Sequence, residues 1–177
     1  EADETPAAGG DIIIGLVAEP VSMDPAQVSD INSMRVHRSL YDALVQFEPA
    51  SFNIESALAT SWEISEDQQS YTFELRDDVE FHDGTPFNAE AVKFNFDRML
   101  DDSHPYYDTG PFPYSATYFA GIDEVEVVDE FTVAFHLSQI YAPLINNLAT
   151  ATAYISSPTA IETHGQDYSQ NPVGTGP

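Results

Sequence analysis

The sequence predicts a mixed domain of the α/β or α+β class. Three observations carry that prediction. "SYTFELR" (70–76) and "FTVAFHL" (131–137) alternate apolar and polar residues with the period of a half-buried strand. Val92, Phe96, Met99 and Leu100 form one apolar stripe at helical spacing, behind Asn88, a good helix cap. Hairpin-linked and helix-linked connections are mixed along the chain, and no internal repeat is visible. Hydrophobic residues make up 42% of the 177 and aromatic residues 12%, enough for a packed core that a disordered chain would lack.

The elements follow in order. "IIIGLV" (12–17) is a short apolar run and predicts a buried strand. "AEPVSMDPAQVSD" holds two prolines and small polar residues, so it predicts a loop. Ile31, Met34, Tyr41, Leu44 and Val45 recur near helical spacing and predict a helix over about 31–44, capped by Asp30. "ALATSWEI" (57–64) surrounds the only Trp with apolar residues, "EDQQ" turns the chain, and Tyr71, Phe73 and Leu75 then share one strand face. In "FHDGTPFNAEAV" (81–92), Asp83-Gly84 turns the chain, Pro86 delays the helix, Asn88 caps it, and Glu90 complements its dipole. Residues 101–115 break that helix and form a loop. "IDEVEVVDEFTVAFHL" (122–137) predicts a hairpin turning at Asp129-Glu130. Pro143 opens a short helix, and "AYISS" (153–157) predicts a strand. Ser157 and Pro158 begin a last helix, closed by Gly165.

Charge narrows the partners. Thirty acidic residues face five basic ones, for a net charge of -25. Such a surface repels nucleic acid and anionic lipid, so neither is an expected partner. The acids are spread along the chain, which argues against an acidic interaction tail. Lys93 is the only lysine; the acidic excess fits a protein adapted to high salt, or an acidic mesophilic one. The absence of cysteine excludes disulfides, thiolate catalysis and Cys-ligated zinc within these residues. No apolar run approaches the length of a membrane span. "EADETPAAGG" (1–10) predicts a flexible tether, as in a mature exported chain whose signal has been removed, or a chain cut at a convenient point.

Catalytic machinery is not visible. The five histidines show no HExxH or other zinc spacing, and no metal ligand or cofactor is expected. His136 is expected on the outer face of its strand and His104 in a loop. His82 and Asp83 are adjacent on an extended segment and point to opposite faces, so they make a poor base-and-orienter pair. They are expected to be a structural corner. There is no G-x-S-x-G, and "GTG" (174–176) lacks the residues of a phosphate loop. Acidic pairs such as Asp77-Asp78 are expected by chance among thirty acids. Tyr106, Tyr107, Tyr114 and Tyr118 gather in or beside a Pro/Gly loop, where they form either a binding wall or a cover for the core.

Five blocks in order resemble one family, the extracytoplasmic solute-binding proteins of peptide/nickel ABC transporters. They are "EPVSMDP" (19–25), "LYDALVQFEP" (40–49), "ALATSWEISEDQQSYTFELRDDVEFHDGTPFNAEAV" (57–92), "VEVVDEFTVAFHL" (125–137) and "NPVGTGP" (171–177). Departures are modest: Ala91 stands for the usual Asp, and Gln69 for a common Gly. The resemblance implies an α/β periplasmic-binding-protein-like fold of type II, two-lobed, whose cleft closes on ligand about a hinge. It implies that residues 11–47 begin the first lobe, 48–170 form an inserted α+β subdomain, and 171–177 return to that lobe. Family members are longer, so it also implies a truncated chain.

By the same resemblance the protein captures a di- or oligopeptide without chemistry and delivers it to ABC permease subunits. The alternatives are a nickel or metal-chelate receptor of the same family and a secreted hydrolase. The implied place is extracytoplasmic, periplasmic or at the cell surface, with a lipid-anchored N-terminus and a monomeric state. Ser29, Asp30 and Ile31 would run beside a peptide backbone like an added strand. Met34, Tyr114, Tyr118 and Tyr154 would line the cleft.

Overall fold

The computed structural model describes residues 13–177. The tether expected over 1–10 lies outside the described residues. The centre of the fold is a four-stranded antiparallel sheet in the order β3-β4-β6-β5. Its strands are β3 (Ala59–Ile64), β4 (Ser70–Leu75), β5 (Ile122–Asp129) and β6 (Thr132–Leu137). β1 (Val45–Phe47) and β2 (Ile54–Ser56) pair separately as a small hairpin.

The alternating pattern decides which face is covered. Tyr71, Phe73 and Leu75 on β4 are buried, as are Val133, Phe135 and Leu137 on the neighbouring β6. Helix α2 (Ala89–Leu100) packs over this face with Val92, Phe96 and Met99. Four rings make the centre: Phe96 meets Phe135 edge-on at 4.9 Å, Phe135 meets Phe73 at 5.6 Å, and Phe96 meets Phe119 at 5.2 Å. Edge-on contact suits the ring quadrupole and adds to the area buried. On the outer face His136 pairs with Glu126 at 2.7 Å. The Asn88 side chain accepts from the Ala91 N–H at 3.0 Å, which caps α2 as expected. Short helices α3 (Ser115–Tyr118), α4 (Leu144–Asn147) and α5 (Pro158–His164) complete the described chain after α1 (Ile31–His37).

Three expectations are corrected. Residues 13–17 of the apolar run form no strand: Ile13 is 96% and Val17 91% exposed, because no strand among the described residues pairs with them. The helix from Ile31 ends at His37, not near 44. Ser39, Leu40 and Tyr41 donate back to the Val36 and His37 carbonyls, and the chain then enters β1. Tyr41 and Leu44 are buried by tertiary contacts rather than by a helix face, so their spacing misled. Residues 153–157 leave a short 3-10 turn (Ala151–Ala153) as an extended, buried segment that joins no sheet. Its main-chain groups bond to Asp42, Asn95 and Val173 instead.

Candidate ligand-binding site

The loop "EPVSMDP" is stitched at three points to α1 and the turn that follows it. The Val21 N–H donates to Ser33 Oγ at 2.8 Å, His37 Nε2 donates to the Ser22 carbonyl at 2.9 Å, and the Tyr41 hydroxyl donates to the Met23 carbonyl at 2.9 Å. Asp24 ends the loop, and its Oδ1 accepts from the Ala26 N–H at 3.0 Å. Its other oxygen pairs with Arg98 on α2; both side chains are 1% exposed. Arg98 also donates from Nε to Thr109 Oγ at 2.9 Å and lies over the Phe112 ring at 4.9 Å. Burying this pair is tolerable only because each charge meets the other and further donors or rings. Gln27 then ties the loop to residues 106–114 through the Thr109 carbonyl at 2.7 Å.

Ser29, Asp30 and Ile31 lie where this loop becomes α1. Asp30 has extended backbone, and its Oδ1 accepts from the Asn32 and Ser33 N–H groups, each at 3.0 Å. The Ser33 side chain first, and then the Ser33 and Asn32 N–H groups, hold its carboxyl below the usual carboxylate range. Its Oδ2 is buried without a hydrogen-bond partner among the described residues. Ile31 is 59% exposed, and Ser29 and Met34 are half-buried. Burial lowers the His37 imidazole below its ordinary value, although Asp24 and Asp30 pull the other way. The neutral ring gives its Nε2 proton to Ser22, leaving a buried Nδ1 that also has no partner among the described residues.

Tyr154 is stacked on Tyr41, with ring centroids 6.4 Å apart and 19° between planes. Tyr41 in turn meets His37 edge-on at 5.8 Å, so Tyr154 joins the α1 group through one ring. Burial pushes the Tyr154 hydroxyl above its ordinary value, and that of Tyr168 up to about 12. A cavity of about 510 Å³ opens beside them, lined by Arg38, Tyr41, Asp42, Gln46, Phe52 and Tyr154. Aromatic walls with one cation and one carboxylate suit a small polar solute.

Tyr114 and Tyr118 form a second group. Their rings stack at 6.2 Å and 21°. Tyr118 also packs on Phe119 and the main core, so it serves partly as cover. Among the described residues no aromatic or hydrogen-bond contact joins this pair to Tyr154 or to Ser29, Asp30, Ile31 and Met34. Tyr106 packs against Phe94 and His104, away from either group. Sequence reasoning missed Arg98, Tyr41 and Tyr168. A lone Arg within an apolar helix stripe was the available signal for Arg98.

Comparison with known proteins matches this architecture. Residues 53–177 match the model of bacterial extracellular solute-binding proteins, family 5, middle region. The probable D,D-dipeptide-binding periplasmic protein DdpA of Escherichia coli (strain K12) is 38% identical over 175 residues, covering 94% of this chain and 32% of DdpA. The periplasmic binding protein DppA from Helicobacter pylori, in complex with peptide STSA, superposes with a TM-score of 0.82 at 36% identity. That match covers 90% of this chain and 34% of the other. The dipeptide binding protein from Pseudoalteromonas sp. SM9913, in complex with Met-Leu, gives 0.83 at 33% identity, over 90% of this chain and 35% of that one. The chain thus spans about a third of the length of the relatives it matches. Its fold is that of part of one lobe of a type II periplasmic binding protein. The chain belongs to the bacterial extracellular solute-binding proteins, family 5.

Proposed function

We propose that this chain is part of the substrate-binding component of an ABC transporter, which captures a di- or oligopeptide by cleft closure and delivers it to membrane permease subunits. The observation that carries this reading is the superposition on a relative solved with the peptide STSA. No chemistry on the ligand is part of it, and no cofactor. Residues 11–47 begin the first lobe, 48–170 form its inserted subdomain, and 171–177 return to the lobe. The full-length protein acts outside the cytoplasm as a monomer, with residues 1–10 as the tether of a lipid anchor. No helix among the described residues is long and apolar enough to cross a membrane.

Ser29, Asp30 and Ile31 lie beside the ligand backbone, and exposed Ile31 supports such a place. Because Asp30 Oδ1 is committed to the α1 cap and Oδ2 is buried, main-chain groups are what this stretch offers a ligand. Met34, Tyr154 and the Tyr114–Tyr118 stack supply apolar wall. Backbone recognition makes side-chain specificity broad, and the net charge of -25 favours cationic or zwitterionic ligands over anionic ones. The relatives named above are described by peptides, which supports peptide over a nickel chelate. Calorimetric titration of the full-length protein with Ala-Ala, Lys-Ala, Glu-Ala and a nickel–histidine chelate tests this. Tighter binding of Lys-Ala than Glu-Ala is expected; binding of the chelate alone would overturn the peptide reading.

A further inference from the structure

The corner at His82 and Asp83 carries more than a turn. The turn itself is made by Gly84, at φ 79°, whose N–H donates to the Phe81 carbonyl at 2.8 Å. Asp83 Oδ1 supports it by accepting from the Thr85 N–H at 3.0 Å and hydroxyl at 2.6 Å. The imidazole of His82 and the Oδ2 of Asp83 are surplus to that task. Both reach distant segments. The His82 main-chain N–H donates to the Gly174 carbonyl at 2.9 Å. Its Nε2 lies 2.7 Å from the Gly176 carbonyl, and its Nδ1 lies 3.4 Å from the Gly174 N–H. A carbonyl only accepts and an amide N–H only donates, so the ring holds its proton on Nε2 and both nitrogens are engaged. Asp83 Oδ2 accepts from Ser157 Oγ at 2.5 Å.

These two segments press on the loop that follows α1. The Gly176 N–H donates to the Leu40 carbonyl at 3.0 Å, and Thr175 Oγ donates to Asp42 Oδ2 at 2.9 Å. The Ile155 N–H donates to the Asp42 carbonyl at 2.9 Å, and the Ser157 N–H to the Val173 carbonyl at 3.0 Å. The approach leaves no space for a side chain: a Cβ on Gly174 would lie 2.0 Å from the Leu40 oxygen, and one on Gly176 2.7 Å from the Leu40 carbonyl carbon. Residues 40–42, 154–157 and 173–176 therefore cross in direct backbone contact. The corner at 82–83 grips two of the three.

We propose that His82 and Asp83 are positioning residues. His82 fixes residues 173–176 against the loop behind α1, and Asp83 fixes the stretch that carries Tyr154 through Ser157. Neither lines the cavity beside Tyr154. Their effect on affinity rests on the ligand-site reading above; their effect on the crossing does not.

Amide hydrogen exchange on the full-length protein separates a local latch from a general stabiliser. In His82→Ala the Gly176 amide should exchange about tenfold faster, as the loss of one or two hydrogen bonds allows, while the Ile155 amide stays protected. The Leu75 and Leu137 amides, which donate to Phe131 and Gln69 beside the sheet, should not change. His82→Gln, which offers a donor amide at similar reach, should restore much of the protection at Gly176. Asp83→Ala should loosen Ile155 and leave Gly176 protected, which keeps the test open if His82→Ala fails to fold. A uniform rise across all four amides, or no change at Gly176 in His82→Ala and at Ile155 in Asp83→Ala, would overturn the proposal. Titration of the same variants with Ala-Ala should show weaker binding. If the wild type binds no dipeptide, the transport reading fails while the exchange data still decide the latch.

Discussion

Replacing Asp24 by Ala should be among the most damaging single changes in the described chain. The substitution leaves the Arg98 guanidinium buried at 1% exposure without its counter-charge. Breaking a buried pair from one side costs about 3–5 kcal/mol. Loss of the bond from the Ala26 N–H adds about 1 kcal/mol, as loss of a cap does. Asp24→Ala should therefore destabilise by about 4–6 kcal/mol, a large share of the ordinary stability of a domain. Arg98→Met should cost a similar amount, because it strands the carboxylate. The Thr109 hydroxyl is not stranded by it, since it still donates to the Tyr106 carbonyl at 2.7 Å. The double variant removes both charges and should cost about 1–2 kcal/mol, less than either single change. Urea unfolding of the full-length protein and the three variants measures this. An Asp24→Ala cost below about 1 kcal/mol, or a double variant that costs the sum of the singles, would refute the reasoning.

Other outcomes follow from the same contacts. Gly174→Ala must push the Leu40 oxygen away from 2.0 Å and should cost about 3 kcal/mol or more, whereas Gly15→Ala, with nothing within 4 Å, should stay within about 0.5 kcal/mol of wild type in the same unfolding assay. Burial lowers the proton affinity of folded His37 and His104, so the unfolded chain binds protons first on acidification. Their contribution is fully present above about pH 6.5 and is lost as pH falls below it. Thermal melts from pH 8 to 5 should show that loss, and His37→Gln should flatten the slope. Diluting salt should lower the melting temperature, because the net charge of -25 is then less screened; an unchanged melt would argue against adaptation to high salt.

Local patterns were legible because their causes are local. The period-two faces of β4 and β6, the Asn88 cap and the stripe of α2 depend on neighbours within a few residues, and the structure has each of them. The same holds for Ser157, whose Oγ accepts from the Ala160 N–H at 3.1 Å to cap α5. Failures came where a partner is far away in sequence. Tyr41 extends the apolar spacing of α1, yet its place is set by Tyr154 and Tyr168, more than a hundred residues on. The extended stretch 153–157 has strand composition, but Asn95 receives its Ser156 N–H at 3.1 Å and donates to the Ser156 carbonyl at 2.8 Å, in place of a neighbouring strand. The Asp of "EPVSMDP" reads as a loop residue, and nothing near it announces Arg98. For the candidate site, periodicity and composition suggested only the tyrosine loop. The other residues came from resemblance, and the structure groups Tyr154 with α1 while it keeps Tyr114 and Tyr118 apart.

Mass spectrometry of what the full-length protein carries through purification tests the central claim most directly. Short peptides of mixed sequence, released on denaturation, with cationic or zwitterionic members in excess, are the expected result. A nickel chelate as the bound species, or turnover of added peptides in place of retention, would contradict it.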